Sequence, residues 1–122
     1  MKLKLPERRR FIRVKVPLKL VVKSGSWSDI VITKNISPVG LNFEVRKALK
    51  KAASLKMELY LPLQDTPVYL EGKMVWQRKK NLEDQAPYIT GVEILKIEEK
   101  SKNLFLRYVC DLLYNSAFET RI

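Results

Sequence analysis

The sequence predicts an all-β fold: an antiparallel barrel of about six strands with one C-terminal α-helix packed on an opening or side. Two patterns carry that prediction. Short apolar–polar alternations, separated by Pro, Gly, Ser and Asn turns, recur from Val14 to Ile97. Beyond Ile97 the apolar residues switch to helical spacing at Leu104, Phe105, Tyr108, Val109, Leu112 and Leu113. Length sets the frame, since 122 residues with 46% hydrophobic content suit a single domain with its own core.

The elements follow in order. In VKVPLKLVVK (14–23), Val14, Val16, Leu18, Leu20 and Val22 share one face, and Pro17 suits an edge or a bulge. Ser24-Gly25-Ser26 turns the chain into a returning strand, WSDIVITKNI (27–36). Ser37-Pro38-Val39-Gly40 has the Pro and Gly placement of a type I turn, and Leu41–Val45 is a short strand after it. Arg46–Ala53, rich in Lys and Ala, is expected to form a helical turn. Leu55–Leu61 and Val68–Gln77 read as strands joined by the Pro62–Pro67 turn. Asn81–Pro87 is a polar loop, Tyr88–Ile97 a last strand, and the helix is expected over residues 98–117. Two regions result: a basic arm, 1–13, and the barrel with its helix, 14–122.

Composition narrows the function classes. With no histidine and a single cysteine, Cys110, the chain cannot form a Ser-His or Cys-His nucleophile pair, a Cys/His zinc site or an internal disulfide. The lone thiol fits a reducing cytoplasm. The start, MKLKLPERRR, lacks an apolar h-region, and no apolar run is long enough to span a bilayer. The four glycines, at 25, 40, 72 and 91, are isolated, so no Gly-rich phosphate loop is present. No enzyme activity and no cofactor are expected. Glu98-Glu99 complement the dipole of the helix they precede and need no acid–base role.

Charge points to an anionic partner. The chain has 24 basic and 13 acidic residues, a net +11, and residues 1–23 hold nine bases and one acid, for +8 of it. Arg46, Lys47, Lys50, Lys51 and Lys56 form a second cluster, and Arg78-Lys79-Lys80 a third. In the arm, Arg9 and Arg13 are four residues apart and can converge on one planar anion. Their guanidinium forks match either a guanine O6/N7 edge or two phosphate oxygens. Further on, Asn35 and Ser37 point the same way if the segment is extended, and Gly40 permits a positive φ or a close approach by a ligand. Taken alone, that segment reads first as an ordinary Asn/Ser/Pro/Gly turn.

The two motifs together, Arg-x-x-x-Arg and, 22 residues after the second arginine, Asn35-x-Ser37-x-x-Gly40, resemble the PilZ domain. The similarity extends to the strand Gly91-Val92-Glu93-Ile94 and to the terminal helix, and so covers about Arg8 to Leu113. The resemblance implies a six-stranded antiparallel PilZ-like barrel that binds the bacterial second messenger cyclic di-GMP. By position, Arg9 and Arg13 would grip guanine edges and phosphates, Asn35 would read a guanine Watson–Crick edge, and Ser37 and Gly40 would support phosphate and close approach. Arg8 stands where the family residue influences whether one ligand or a stacked pair binds. Asn35 departs from the commoner aspartate: it offers one carbonyl acceptor and an NH₂ donor where a carboxylate offers two acceptors.

Trp76 could stack on a guanine or fill the core, and Arg78 could contact ligand or simply be a solvated strand end. The mechanism expected is an arm that ligand folds across the barrel, altering a surface offered to a downstream protein. Two alternatives stay open. One is a basic β-barrel that binds single-stranded nucleic acid, with Trp27, Phe43, Tyr60, Tyr69 and Trp76 as stacking candidates. The other is a PilZ-like protein adaptor that no longer binds nucleotide. The Asn-x-Ser-x-x-Gly segment narrows the anion from a polymer to a dinucleotide, and the remaining positive charge reads as surface rather than as a nucleic-acid footprint.

Overall fold

A computed structural model describes residues 13–120. Among the described residues seven strands are formed: β1 (Val14–Lys15), β2 (Lys19–Ser24), β3 (Trp27–Ser37), β4 (Gly40–Val45), β5 (Ser54–Leu59), β6 (Val68–Lys79) and β7 (Tyr88–Ile97). One helix, α1 (Glu99–Thr120), follows. All pairings are antiparallel, and the order β3-β2-β5-β6-β7-β4 returns to β3 through the β3–β4 pairing. Six strands therefore close a barrel, and β1 is an extra strand on β3. No described helix is long and apolar enough to cross a membrane.

The expected strand 14–23 is broken in two. Both pieces lie along β3, with Val14 opposite Ile36 and Lys19 opposite Ile32. Between them stands Pro17, which has no N–H to give to a ladder. Buried Thr33 bridges the break: its Oγ1 accepts from Leu18 N at 2.9 Å and donates to the Val16 carbonyl at 2.6 Å. Two backbone groups that the break would leave unpaired are satisfied this way.

The core lies inside the barrel. Leu20, Ile36, Phe43, Leu59, Met57 and Leu70 are at most 1% exposed. Phe105 and Val109 of α1, both fully buried, join the same cluster, so the helix packs onto the barrel by one stripe. Each such side chain stabilises the fold by about 1.5–3 kcal/mol relative to exposure.

The segment Arg46–Ala53 is not a helical turn. It is an irregular connection hydrogen-bonded to β6. Gln77 accepts from Leu49 N at 2.9 Å and donates to the Lys47 carbonyl at 3.0 Å. Ala52 N donates to the Met74 carbonyl, and Met74 N donates to the Ala53 carbonyl. Local propensity favoured a helix, but β5 begins opposite Lys73, midway along β6. The connection must therefore run along the second half of β6, and its hydrogen bonds go there instead of into a helix.

Candidate functional site

Strand alternation decides which residues of the two motifs meet. On β4, Leu41 and Phe43 point into the core, so Asn42 points outward. The cross-strand pairs Asn35–Asn42, Asn42–Gly91 and Gly91–Trp76 then set one outward row across β3, β4, β7 and β6. Lys15 of β1 lies opposite Asn35 and extends the row to a fifth strand. An irregularity between Met74 and Trp76 shifts the β6 register and brings the indole into line with Gly91.

Gly91 is required by that indole. A Cβ at position 91 would collide with Nε1 and Cε2 of Trp76, so the ring lies across the bare glycine. Trp76 is half-buried and outside the core cluster. Arg78, two residues along the strand, is on the same face, with Cζ 5.9 Å from the Trp76 ring centre. Because β6 continues to Lys79, Arg78 is held within the ladder opposite Ile89 rather than at a loose strand end.

At the other end of the row, Asn42 Oδ1 accepts from Asn35 N at 3.2 Å. The Asn35 Oδ1 atom is buried and has no hydrogen-bond partner among the described residues. A buried amide oxygen in that condition costs roughly 1–3 kcal/mol, which a donor brought to it would recover. Arg13 is half-buried and directly precedes β1. Arg8 and Arg9 lie outside the described residues.

Ser37 and Gly40 build the β3–β4 turn. The Ser37 Oγ accepts from Val39 N at 3.2 Å and Gly40 N at 3.1 Å, and donates to the Gly40 carbonyl at 3.3 Å. Gly40 does not adopt a positive φ. The close approach there is by the backbone of β7: a Cβ would stand 2.8 Å from the Val92 carbonyl oxygen. Glu93 opposes Gly40 and Lys73 opposes Glu93, forming a second outward row beside the first.

A third row holds a carboxylate between two ammonium groups. Glu44 opposes Ile89, which opposes Arg78. The Glu44 carboxylate receives Lys34 Nζ at 3.1 Å and Lys80 Nζ at 3.2 Å. The hydrogen bond from Lys34 holds its pKa below the ordinary carboxylate value, with Lys80 adding to it and partial burial opposing it.

Asn42 and Gln77 were not picked out by motif, and Gly91 entered only as part of the strand Gly91-Val92-Glu93-Ile94, with no role of its own. Gly91 interrupts an apolar strand, a pattern that signals close approach, but its partner emerges only from the β6–β7 register. Asn42, polar between Leu41 and Phe43, reads in sequence as an ordinary solvent-facing position.

A family model described as PilZ domain matches residues 7–110. By fold the chain is similar to the Bacillus subtilis inhibitor of motility MotI/DgrA, with a TM-score of 0.71 and 17% identity over 89% of this chain and 52% of that one. It is similar to the PilZ domain with c-di-GMP of YcgR from Escherichia coli, with a TM-score of 0.66 and 10% identity over 94% and 98% of the two chains. For the K. pneumonia MrkH–c-di-GMP complex the TM-score is 0.67, with 15% identity over 94% of this chain and 55% of that one. The chain thus spans about half of MotI and MrkH but nearly all of the YcgR domain. No curated protein matches it by sequence. A family match over residues 7–110 and a closed six-stranded barrel shared with these structures place the chain in the PilZ domain family.

Proposed function

We propose that this chain is a cyclic di-GMP receptor whose site is the outward row from Asn35 to Trp76, completed by the N-terminal arginines. The observation that carries the proposal is the buried Asn35 Oδ1, without a hydrogen-bond partner among the described residues, in the same row as the half-buried indole of Trp76. A guanine edge supplies N–H donors to such an oxygen, and its π face stacks on an aromatic ring. Arg9 and Arg13 grip guanine edges and phosphodiesters, Arg78 adds a cation beside the Trp76 ring, and Arg8 sets whether one ligand or a stacked pair binds. Ser37 and Gly40 shape the turn at the end of the site and support the phosphate side.

The chain acts as a receptor, without catalysis or cofactor. Ligand draws residues 1–13 across the outward rows, and the changed surface is read by a downstream protein in the bacterial cytoplasm. Two of the neighbouring folds, the YcgR domain and MrkH, are c-di-GMP complexes, which supports the ligand class.

Calorimetric titration with cyclic di-GMP tests the site. A lost bidentate contact is worth about 1–3 kcal/mol, so Arg9→Ala, Arg13→Ala and Asn35→Ala should each weaken binding by about tenfold or more. Wild-type affinity in all three would overturn the site. A folded wild-type chain that does not bind at tens of micromolar would leave the adaptor reading in its place.

A further inference from the structure

We propose that the connection Arg46–Ala53 is a second binding surface, for an acidic extended polypeptide segment, and that Gln77 ties it to the strand carrying the ligand site. Arg46, Lys47, Lys50 and Lys51 are all exposed, and none is in an ion pair among the described residues. No acidic residue occurs from Val45 to Met57. Elsewhere on the barrel, Lys23, Lys34, Lys73 and Lys80 each face a carboxylate. The segment thus gathers four cations without a paired carboxylate into six residues, Arg46 to Lys51, with no acid among them.

That segment is held in shape. Leu49 tucks against the core and turns its neighbours outward. Ala53 N donates to the Lys50 carbonyl, Ala52 takes a left-handed φ of 62°, and the Arg46 guanidinium donates to the Gln85 carbonyl at 2.9 Å. Lysines that merely solvate a loop need no such fixing. A fixed array of ammonium groups suits carboxylates, which require no planar fork. No aromatic residue lies between Phe43 and Tyr60, so the segment lacks the stacking platform that a single-stranded nucleic acid would use.

The tie to ligand rests on the cyclic di-GMP reading. On β6, Trp76 and Arg78 face the site, while Gln77 between them faces the other way. Its amide meets the Lys47 carbonyl, Leu49 N and Thr90 Oγ1. A shift of β6 on ligand binding therefore moves the Lys47–Leu49 part of the connection through Gln77, beside the backbone bonds that fix Ala52 and Ala53 at Met74.

The test uses fluorescence anisotropy with a fluorescein-labelled deca-glutamate peptide. The triple variant Lys47→Gln/Lys50→Gln/Lys51→Gln should bind it about tenfold more weakly, as expected of three exposed ion pairs acting together. An equal-charge control, Lys96→Gln/Lys100→Gln/Lys102→Gln, should bind within about twofold of wild type. Equal losses in the two triples would reduce the effect to bulk charge and overturn the surface. Equally tight binding of a ten-nucleotide single-stranded DNA, lost in the same triple, would make it a polyanion site instead.

Saturating cyclic di-GMP should shift the peptide affinity of the wild type but not of Gln77→Met, which keeps the side-chain length without the amide. A shift unchanged in Gln77→Met overturns the tie. If the wild type binds no cyclic di-GMP, both the tie and the receptor reading fall, while the comparison of triples still decides the surface.

Discussion

Asn35 and Asn42 divide one task between them. The amide of Asn42 occupies the Asn35 backbone N–H and leaves the Asn35 side chain to present its oxygen in the outward row. Glu44, two residues further along β4, governs the charge beside that row. Because its folded pKa is lowered, chiefly by Lys34, its contribution to stability is present above the ordinary carboxylate value of 4.5 and lost as pH falls through the folded value. Glu44→Gln should therefore cost less than about 1 kcal/mol near neutrality, and the cost should fade as pH drops toward 3. Urea unfolding of both proteins across that range checks this; a pH-independent difference would contradict it. The residue identities behind these roles stand plainly in the chain. Their partners do not, since Lys34 and Lys80 reach Glu44 only once β3, β4 and the end of β6 are assembled.

At the level of elements, alternation marked the strands well. The shared face of Leu18, Leu20 and Val22 emerged as expected because a residue period of two leaves little choice once one face must be buried. Two features escaped it. The helical turn expected over Arg46–Ala53 gave way to pairing with β6, a tertiary demand that outweighs a weak propensity. Trp76 was left between core and surface because a register shift beside it, invisible in composition, sets its direction. The β6–β7 pairing also yields a sharp expectation. Gly91→Ala would normally favour a strand, yet here the methyl group meets the indole. Destabilisation of about 1–3 kcal/mol should accompany a changed Trp76 fluorescence, measured in a Trp27→Phe background, and weaker cyclic di-GMP binding. Unchanged emission and affinity would mean that the ring does not depend on the glycine.

Across the whole molecule, the net charge of +11 separates into distinct parts. Residues 1–23 carry +8 of it, four lysines on the barrel face carboxylates, and Arg46–Lys51 adds four cations with no paired acid among the described residues. A dinucleotide brings only two phosphodiester charges, so affinity for cyclic di-GMP should fall with salt on a log–log slope of about 2 or less. Titrations at several salt concentrations measure that slope, and a much steeper one would return the nucleic-acid alternative to first place. From its sequence alone this protein is a basic, histidine-free, strand-rich domain with a terminal helix, and its two ordered motifs point to the PilZ family. Those properties are local: composition, periodicity and spacing act along the chain. Only the closed barrel decided that Asn35, Asn42, Gly91 and Trp76 share one face, because strand register arises between segments far apart in sequence.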